Sequence, residues 1–426
     1  MNIQRSERIH SRALAIAIAS WLVIAVSSGG VLAGDAIAIR AGKVYTGDRV
    51  LENAVVLVEN GKVIGVGPSV SVPDGATVHE HPDASITPGL IDAYSTAGVA
   101  NRFSWAEHSS EVIPHLRNLD AWNMQSRDFD RLIETGVTTI GLATDPSSVI
   151  GARNGVVKTA RSLGGRVLRD AVAPMVAITA ETWTRGESNR QPFGLAQPYV
   201  TRRPTTGMGN SWVLREAFYT AIRNERGRER DPNPGPAHDH LIAAVDGETP
   251  IWALARRRHD IYSAMRMLGE VGIERFVLVE GTQAYRIADD LAAANIPVIF
   301  GPHFERPRAQ WRIRSGEATE PNLASASILE AAGVTLALTA VDRFADEALA
   351  EQATMAIRHG LSRKAALNAT TATPAALLGV SDRVGSIAPG KDADLVIWSG
   401  EPFDSGSAIL KVLVDGHVVH ESEPGS

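Results

Sequence analysis

At 426 residues, 44% hydrophobic and 21% charged, the chain has the length for one large domain plus a small one and an ordinary globular core. A formal net charge of -6 argues against a nucleic-acid binder, which would carry a basic face. With 0 Cys, disulfides, thiolate metal sites and a cysteine nucleophile are excluded together.

The N-terminus reads as a targeting segment. Arg5, Arg8 and Arg12 lead into an apolar run over 13–26, broken only by Ser20, and Val31-Leu32-Ala33 offers a cleavage site before Gly34. This is the order of a secretory signal, and the run is shorter than the ~20 residues of a spanning helix. The expectation is a signal peptide over 1–33, export to a periplasm or the exterior, and no stable membrane span after cleavage. An uncleaved anchor is the alternative.

Short alternating strands follow at 36–40, 43–45, 55–59, 62–66 and 78–81, with Asn60-Gly61 as a type I′ hairpin signal. At 86–96 an extended run reaches Pro88, Gly89 lets the backbone turn, Leu90 and Ile91 read as a buried strand, and Asp92 ends it with a carboxylate. That pattern suits a parallel barrel strand whose C-terminal end faces a pocket. A helix over 129–134 stops at Gly136, and strands are predicted at 137–142, 172–178, 250–255, 276–280, 297–300 and 334–339. Helices at 259–271, 283–294, 323–332 and 346–359 alternate with them. Ser362 reads as an N-cap, and Pro374 opens a last short helix ending at Gly379. Strands at 394–398, 412–414 and 417–420, with an Asp415-Gly416 turn, close the chain. Residues 182–210 and 227–237 read as irregular. The alternation implies βα units and a parallel sheet, in either a (β/α)8 barrel or a doubly wound open sheet.

Two motifs decide between these. Pro88-Gly89-Leu90-Ile91-Asp92 and the run Gly385-Ser386-Ile387-Ala388-Pro389-Gly390-Lys391-Asp392-Ala393-Asp394-Leu395-Val396 resemble the first barrel strand and the C-terminal signature of the amidohydrolase superfamily. The chain looks most like its imidazolonepropionase-like and dipeptidase-like branch. The resemblance implies an α/β fold: a TIM-type (β/α)8 barrel over 89–384, with a composite β-sandwich built from 34–88 plus 385–421.

The resemblance also implies hydrolysis of non-peptide C–N bonds, or of dipeptides, on divalent metal such as zinc. The family's ligands are a His-x-His after strand 1, a Lys or Glu on strand 4, a His on each of strands 5 and 6, and an Asp on strand 8. Here Tyr94 and Thr96 take the His-x-His places, Leu254 and Glu280 fall at the next two His positions, and Val341 falls at the Asp position, with Asp342 one residue late. No Lys or Glu lies within 172–178, although Glu181 follows. The expectation is therefore no metal cofactor.

Asp92, Tyr94, Thr96, Leu254, Glu280, His303 and Asp342 form the candidate pocket, all at predicted C-terminal strand ends. Glu280 and Asp342 could serve as an acid/base pair. The plainer reading pairs Glu280 with one of Arg256, Arg257 and Arg258, and Asp342 with Arg343 or a helix cap. His238-Asp239-His240 reads as an exposed loop entering a helix, and His79 with His81 as one solvated strand face. Arg185, Arg190, Arg202, Arg203 and the arginines of 306–314 read as anion-binding at the barrel mouth or as loop ion pairs. Trp183, Phe193, Tyr199 and Trp212 read as a lid or as anchors of the long loop. No nucleophile elbow, Walker loop or dinucleotide fingerprint is present. Three functions remain open: a metal-free, catalytically altered protein binding a small-molecule ligand, an active hydrolase with a rebuilt site, and a structural homo-oligomer.

Overall fold

The computed structural model describes residues 36–99, 107, 109–183, 203–227, 231–303, 322–341 and 348–422. The signal segment, Asp342, Arg343, Arg185, Arg190, Arg202, Phe193, Tyr199 and the arginines of 306–314 lie outside the described residues.

The strands are Ile37–Tyr45 (β1), Val50–Glu59 (β2), Lys62–Gly67 (β3), Thr77–Pro88 (β4), Leu90–Ser95 (β5) and Val137–Leu142 (β6). Ile150–Arg153 (β7), Val156–Lys158 (β8), Val167–Arg169 (β9), Pro174–Ala177 (β10), Ile251–Ala255 (β11) and Phe276–Glu280 (β12) follow. Val298–Phe300 (β13), Leu336–Leu338 (β14), Leu395–Trp398 (β15), Ile409–Val414 (β16) and His417–Glu421 (β17) complete them.

Strands from both ends of the chain share one seven-stranded sheet, in the order β17-β16-β15-β4-β1-β2-β3. Two of its hairpins turn where the sequence supplies Asn60-Gly61 (φ 50° and 76°) and Asp415-Gly416 (φ 48° and 74°). Two consecutive left-handed residues are the requirement of a type I′ turn, and these dipeptides meet it at little steric cost. β4 is far longer than the strand expected at 78–81, because its second half is buried between β1 and β15.

β10, β11, β12, β13 and β14 run parallel in a second sheet, with β7 antiparallel at its edge. β5 and β6 are parallel in a third sheet that continues antiparallel through β8 and β9. The fold is thus mixed α/β, and the ladders among the described residues do not close into one continuous cylinder of parallel strands. The departure lies between β6 and β10. There the chain lays down three short strands in place of a helix and a strand, pinned by the Asn154 side chain, which accepts from the Ala173 amide at 3.0 Å. At the other seam the Thr96 amide donates to the Val341 carbonyl at 2.9 Å, joining the ends of β5 and β14.

The parallel strands are apolar on both faces, as strands covered on both sides must be. Trp252 and Leu254 of β11 pack with Ile91, Met175, Val279 and Ile299 from both smaller sheets. The alternate residues Ile251, Ala253 and Ala255 pack instead with helical residues such as Phe218, Ile261 and Met267. A period of two therefore sorts each strand between an inner core and a helix-covered face.

The α-helices are Asp128–Glu134 (α1), Gly207–Glu225 (α2), His238–Val245 (α3), Arg258–Glu270 (α4), Ala288–Ala293 (α5), Ser325–Ala331 (α6), Leu349–Arg358 (α7), Arg363–Thr370 (α8) and Ala372–Leu377 (α9). The Ser362 hydroxyl caps α8 by accepting from the Ala365 amide at 3.1 Å. α9 begins before Pro374, which the first turn tolerates because its amides have no intrahelical acceptor. α2 mostly fills 211–225, a stretch for which the sequence predicts no element, and only its first turn, 207–210, falls within the residues expected to be irregular. Thr206 caps it, accepting from the Gly209 amide at 3.1 Å, and it buries Val213, Leu214, Phe218, Ala221 and Ile222.

Two features hold the terminal sheet to the rest. Gly89, between β4 and β5, is there for close approach: a Cβ would lie 2.1 Å from Thr138 Oγ1. Lys158 of β8 is buried, and its ammonium lies 2.8 Å from Asp392, 2.9 Å from Asp394 and 2.6 Å from Asp415. Arg383 also reaches Asp392, at 2.8 Å. Those carboxylates hold the Lys158 ammonium above its ordinary pKa although burial opposes it, while burial pushes Asp394 up to about 6. Among the described residues no helix is long and apolar enough to cross a membrane.

Candidate functional site

The expected site residues that are described lie within or just beyond the parallel strands: Asp92, Tyr94 and Thr96 on and after β5, Leu254 in β11, Glu280 at the end of β12 and His303 after β13. Asp92 ends the apolar run of β5 and is buried. Its Oδ1 accepts from the Thr339 hydroxyl at 2.6 Å and the Tyr94 amide at 3.1 Å, and its Oδ2 accepts from the Ala340 amide at 3.1 Å. Burial raises the carboxyl pKa, and these three donors oppose the rise. The chemistry is that of a strap between β5 and the residues after β14. Tyr94 donates its hydroxyl to the Thr144 carbonyl at 2.9 Å, and Thr96 donates its hydroxyl to the Val341 carbonyl at 2.9 Å. Leu254 is fully buried in the inner core.

Glu280, the last residue of β12, is left-handed at φ 66° and buried. It meets Arg256, one residue past β11, in a two-point ion pair: Nε to Oε2 at 2.5 Å and Nη2 to Oε1 at 3.1 Å. Arg256 also holds Glu181, beyond β10, with Nη1 2.7 Å from Oε1. Three successive strand ends thus carry a carboxylate, a guanidinium and a carboxylate. Of the three arginines that could pair with Glu280, period two selects Arg256, because Trp252, Leu254 and Arg256 share a face. Arg257 turns to Asp260 instead, at 2.7 Å. The role of Glu181 is missed by sequence reasoning. It lies in a 3-10 turn after the strand, where no period fixes its direction.

His303 follows β13 and is buried at 5% exposure. Its backbone amide donates to Gln352 Oε1 at 2.8 Å, and its Nδ1 lies 3.2 Å from the same oxygen. Burial pushes its pKa down to about 4, so the ring is neutral near pH 7. Gly301 lets β13 reach this point beside β14, since a Cβ there would lie 2.1 Å from the Thr339 carbonyl oxygen.

The remaining candidates fall elsewhere. His238-Asp239-His240 is the first turn of α3, not an exposed loop. His238 is buried and lies 3.3 Å from Glu225, while His240 feels the nearby Arg153 and His115. Arg203 joins Glu111 at 2.7 Å and Glu216 at 3.1 Å, over the ring of Trp212. Trp212 is 51% exposed. Glu111, Arg203, Glu216 and His238 border a cleft of about 610 Å³ beside α2 and α3. Among the described residues, no group of three or more His, Asp or Glu side chains is placed to hold a metal ion.

Residues 337–420 match the model of the Amidohydrolase family. The amidohydrolase tasK of Hapsidospora irregularis is 24% identical over 403 residues, covering 85% of this chain and 39% of that protein. The chain therefore spans about two fifths of the length of that curated relative. The crystal structure of an amidohydrolase from Thermotoga maritima MSB8 superposes with a TM-score of 0.78 at 27% identity, covering 91% of this chain and 100% of that one. This chain is thus similar to the Amidohydrolase family over 337–420, and solved amidohydrolases are its structural neighbours. A prolidase complexed with N-methylphosphonate-L-proline (TM-score 0.58, 18% identity, 91% and 100% covered) and molinate hydrolase (0.57, 15%, 91% and 95%) share the fold.

Proposed function

We propose that this chain is an exported, catalytically altered amidohydrolase-related protein that binds a small molecule at the C-terminal strand ends without a divalent metal. In this reading residues 1–33 are a signal peptide, 34–88 plus 385–421 form the sandwich, and 89–384 form a barrel of the family type. The neighbours, prolidases among them, support hydrolase ancestry.

The observation that carries the reading is the engagement of the groups at the positions where the sequence resemblance would put metal ligands. A divalent ion needs several open lone pairs converging on one point. Asp92 already accepts three hydrogen bonds, and the Tyr94 and Thr96 hydroxyls donate to carbonyls. Leu254 has no donor atom, and Glu280 faces a guanidinium whose charge repels a second cation. The described residues do not fit such an ion. Zinc titration calorimetry on the full chain tests this: no stoichiometric binding is expected, and one tightly held ion per chain overturns the reading.

A second reading, a hydrolase with a rebuilt acid/base pair, draws on His303, a neutral imidazole at the strand end next to Glu280. It requires that His303→Leu and Glu280→Gln each abolish hydrolysis of a dipeptide or cyclic amide while the far-UV spectrum stays unchanged.

A further inference from the structure

The ring of His303 is fixed by a chain of constraints that starts at the backbone. A backbone amide can only donate, so the group it meets on Gln352 is the carbonyl oxygen, as the 2.8 Å contact has it. That same oxygen faces Nδ1 at 3.2 Å and can only accept. The proton of the neutral ring therefore sits on Nδ1, and Nε2 holds a bare lone pair. Nε2 is buried and has no partner among the described residues, and neither does the Nε2 amide of Gln352. A buried acceptor without a donor costs free energy, and native proteins rarely leave one so.

The backbone around it is strained. On the two strands that flank β13, Glu280 ends β12 at φ 66° and Val341, beyond β14, lies at φ 59°. A left-handed β-branched residue is a genuine outlier, and such strain gathers at ligand sites.

We propose that His303 Nε2 is the hydrogen-bond acceptor for an N–H or O–H group of the molecule bound at the strand ends, with Gln352 as the residue that positions it. The proposal rests on the ligand-binding reading above. It narrows the ligand class to small molecules that present a donor, and refuses those that offer only acceptors at this point. Burial keeps the ring unprotonated at neutral pH, so the lone pair remains available.

The test is ¹⁵N spectroscopy of the full chain labelled at histidine, tyrosine and tryptophan, with the His303, Tyr94 and Trp252 signals assigned by their loss in His303→Leu, Tyr94→Phe and Trp252→Phe. The expected free state is the Nδ1–H tautomer with an unprotonated Nε2. Gln352→Leu should shift the tautomer balance, and Gln352→Glu, which keeps an acceptor, should restore it. Acetamide is expected to shift the Nε2 resonance in a saturable way, while N,N-dimethylacetamide, which lacks the N–H, and acetate leave it in place. An Nε2–H tautomer, or equal shifts from all three probes, overturns the proposal. If acetamide perturbs Tyr94 or Trp252 but not His303, ligand binding stands and this inference falls. If no probe perturbs any of the three, both fall.

Discussion

Arg256 and Glu280, on neighbouring strand ends and both buried, face each other through two nearly parallel hydrogen bonds, Nε–Oε2 and Nη2–Oε1. Such a fork fixes geometry as well as charge. With Glu181 on its far side, the guanidinium is a buried cation at the ends of β10, β11 and β12.

Arg256→Met should therefore destabilise the protein by on the order of 3–5 kcal/mol, because it removes the guanidinium from two carboxylates with little solvent around them. The double variant Arg256→Met with Glu280→Leu should recover part of that loss. Urea unfolding midpoints check both. A single-variant loss below about 1 kcal/mol, the range of an exposed pair, would contradict the assignment.

A second loss is expected far from these strand ends. Lys158 is the ammonium that Asp392, Asp394 and Asp415 share, and it is 1% exposed. Lys158→Met should cost on the order of 3–5 kcal/mol and loosen the C-terminal sheet first, since three carboxylates lose their common partner. Hydrogen exchange should report early opening of β15 and β16. Uniform loss of protection across all the sheets would argue against a local latch.

His303 sets a pH dependence with a definite sign. Its pKa falls from 6.5 to about 4 on folding, so between those values the unfolded chain binds more protons. Its contribution is fully present above pH 6.5 and is lost as pH falls toward 4, by on the order of 3 kcal/mol. Across that window, acidification should lower the denaturation midpoint of the native protein more than that of His303→Gln, moving the stability difference by on the order of 3 kcal/mol in the variant's favour. Parallel pH profiles would mean that the ring is not held neutral by burial.

Much of the fold is legible in the sequence because its signals are local. Asn60-Gly61 and Asp415-Gly416 are left-handed pairs that few other dipeptides supply, and 137–142 and 276–280 are apolar runs that the strands match residue for residue. α2 escaped because Gly207 and Gly209 stand in its first turn and mask the period that Val213, Leu214, Ala217 and Ala221 carry. The three strands between β6 and β10 escaped for a different reason: pairing, not propensity, makes them strands. At the site, Arg256 was among three adjacent candidates that alternation separates. Glu181 and Gln352 are joined to their partners only by tertiary approach, across 75 and 49 residues of chain.

The account turns on whether the strand ends grip a divalent ion, and metal content measures that directly. The full chain, purified after growth with excess zinc and manganese and dialysed without chelator, should contain far less than one equivalent of either by plasma mass spectrometry. Retention of a full equivalent, lost in an Asp92→Asn or Glu280→Gln variant that still folds, would contradict it.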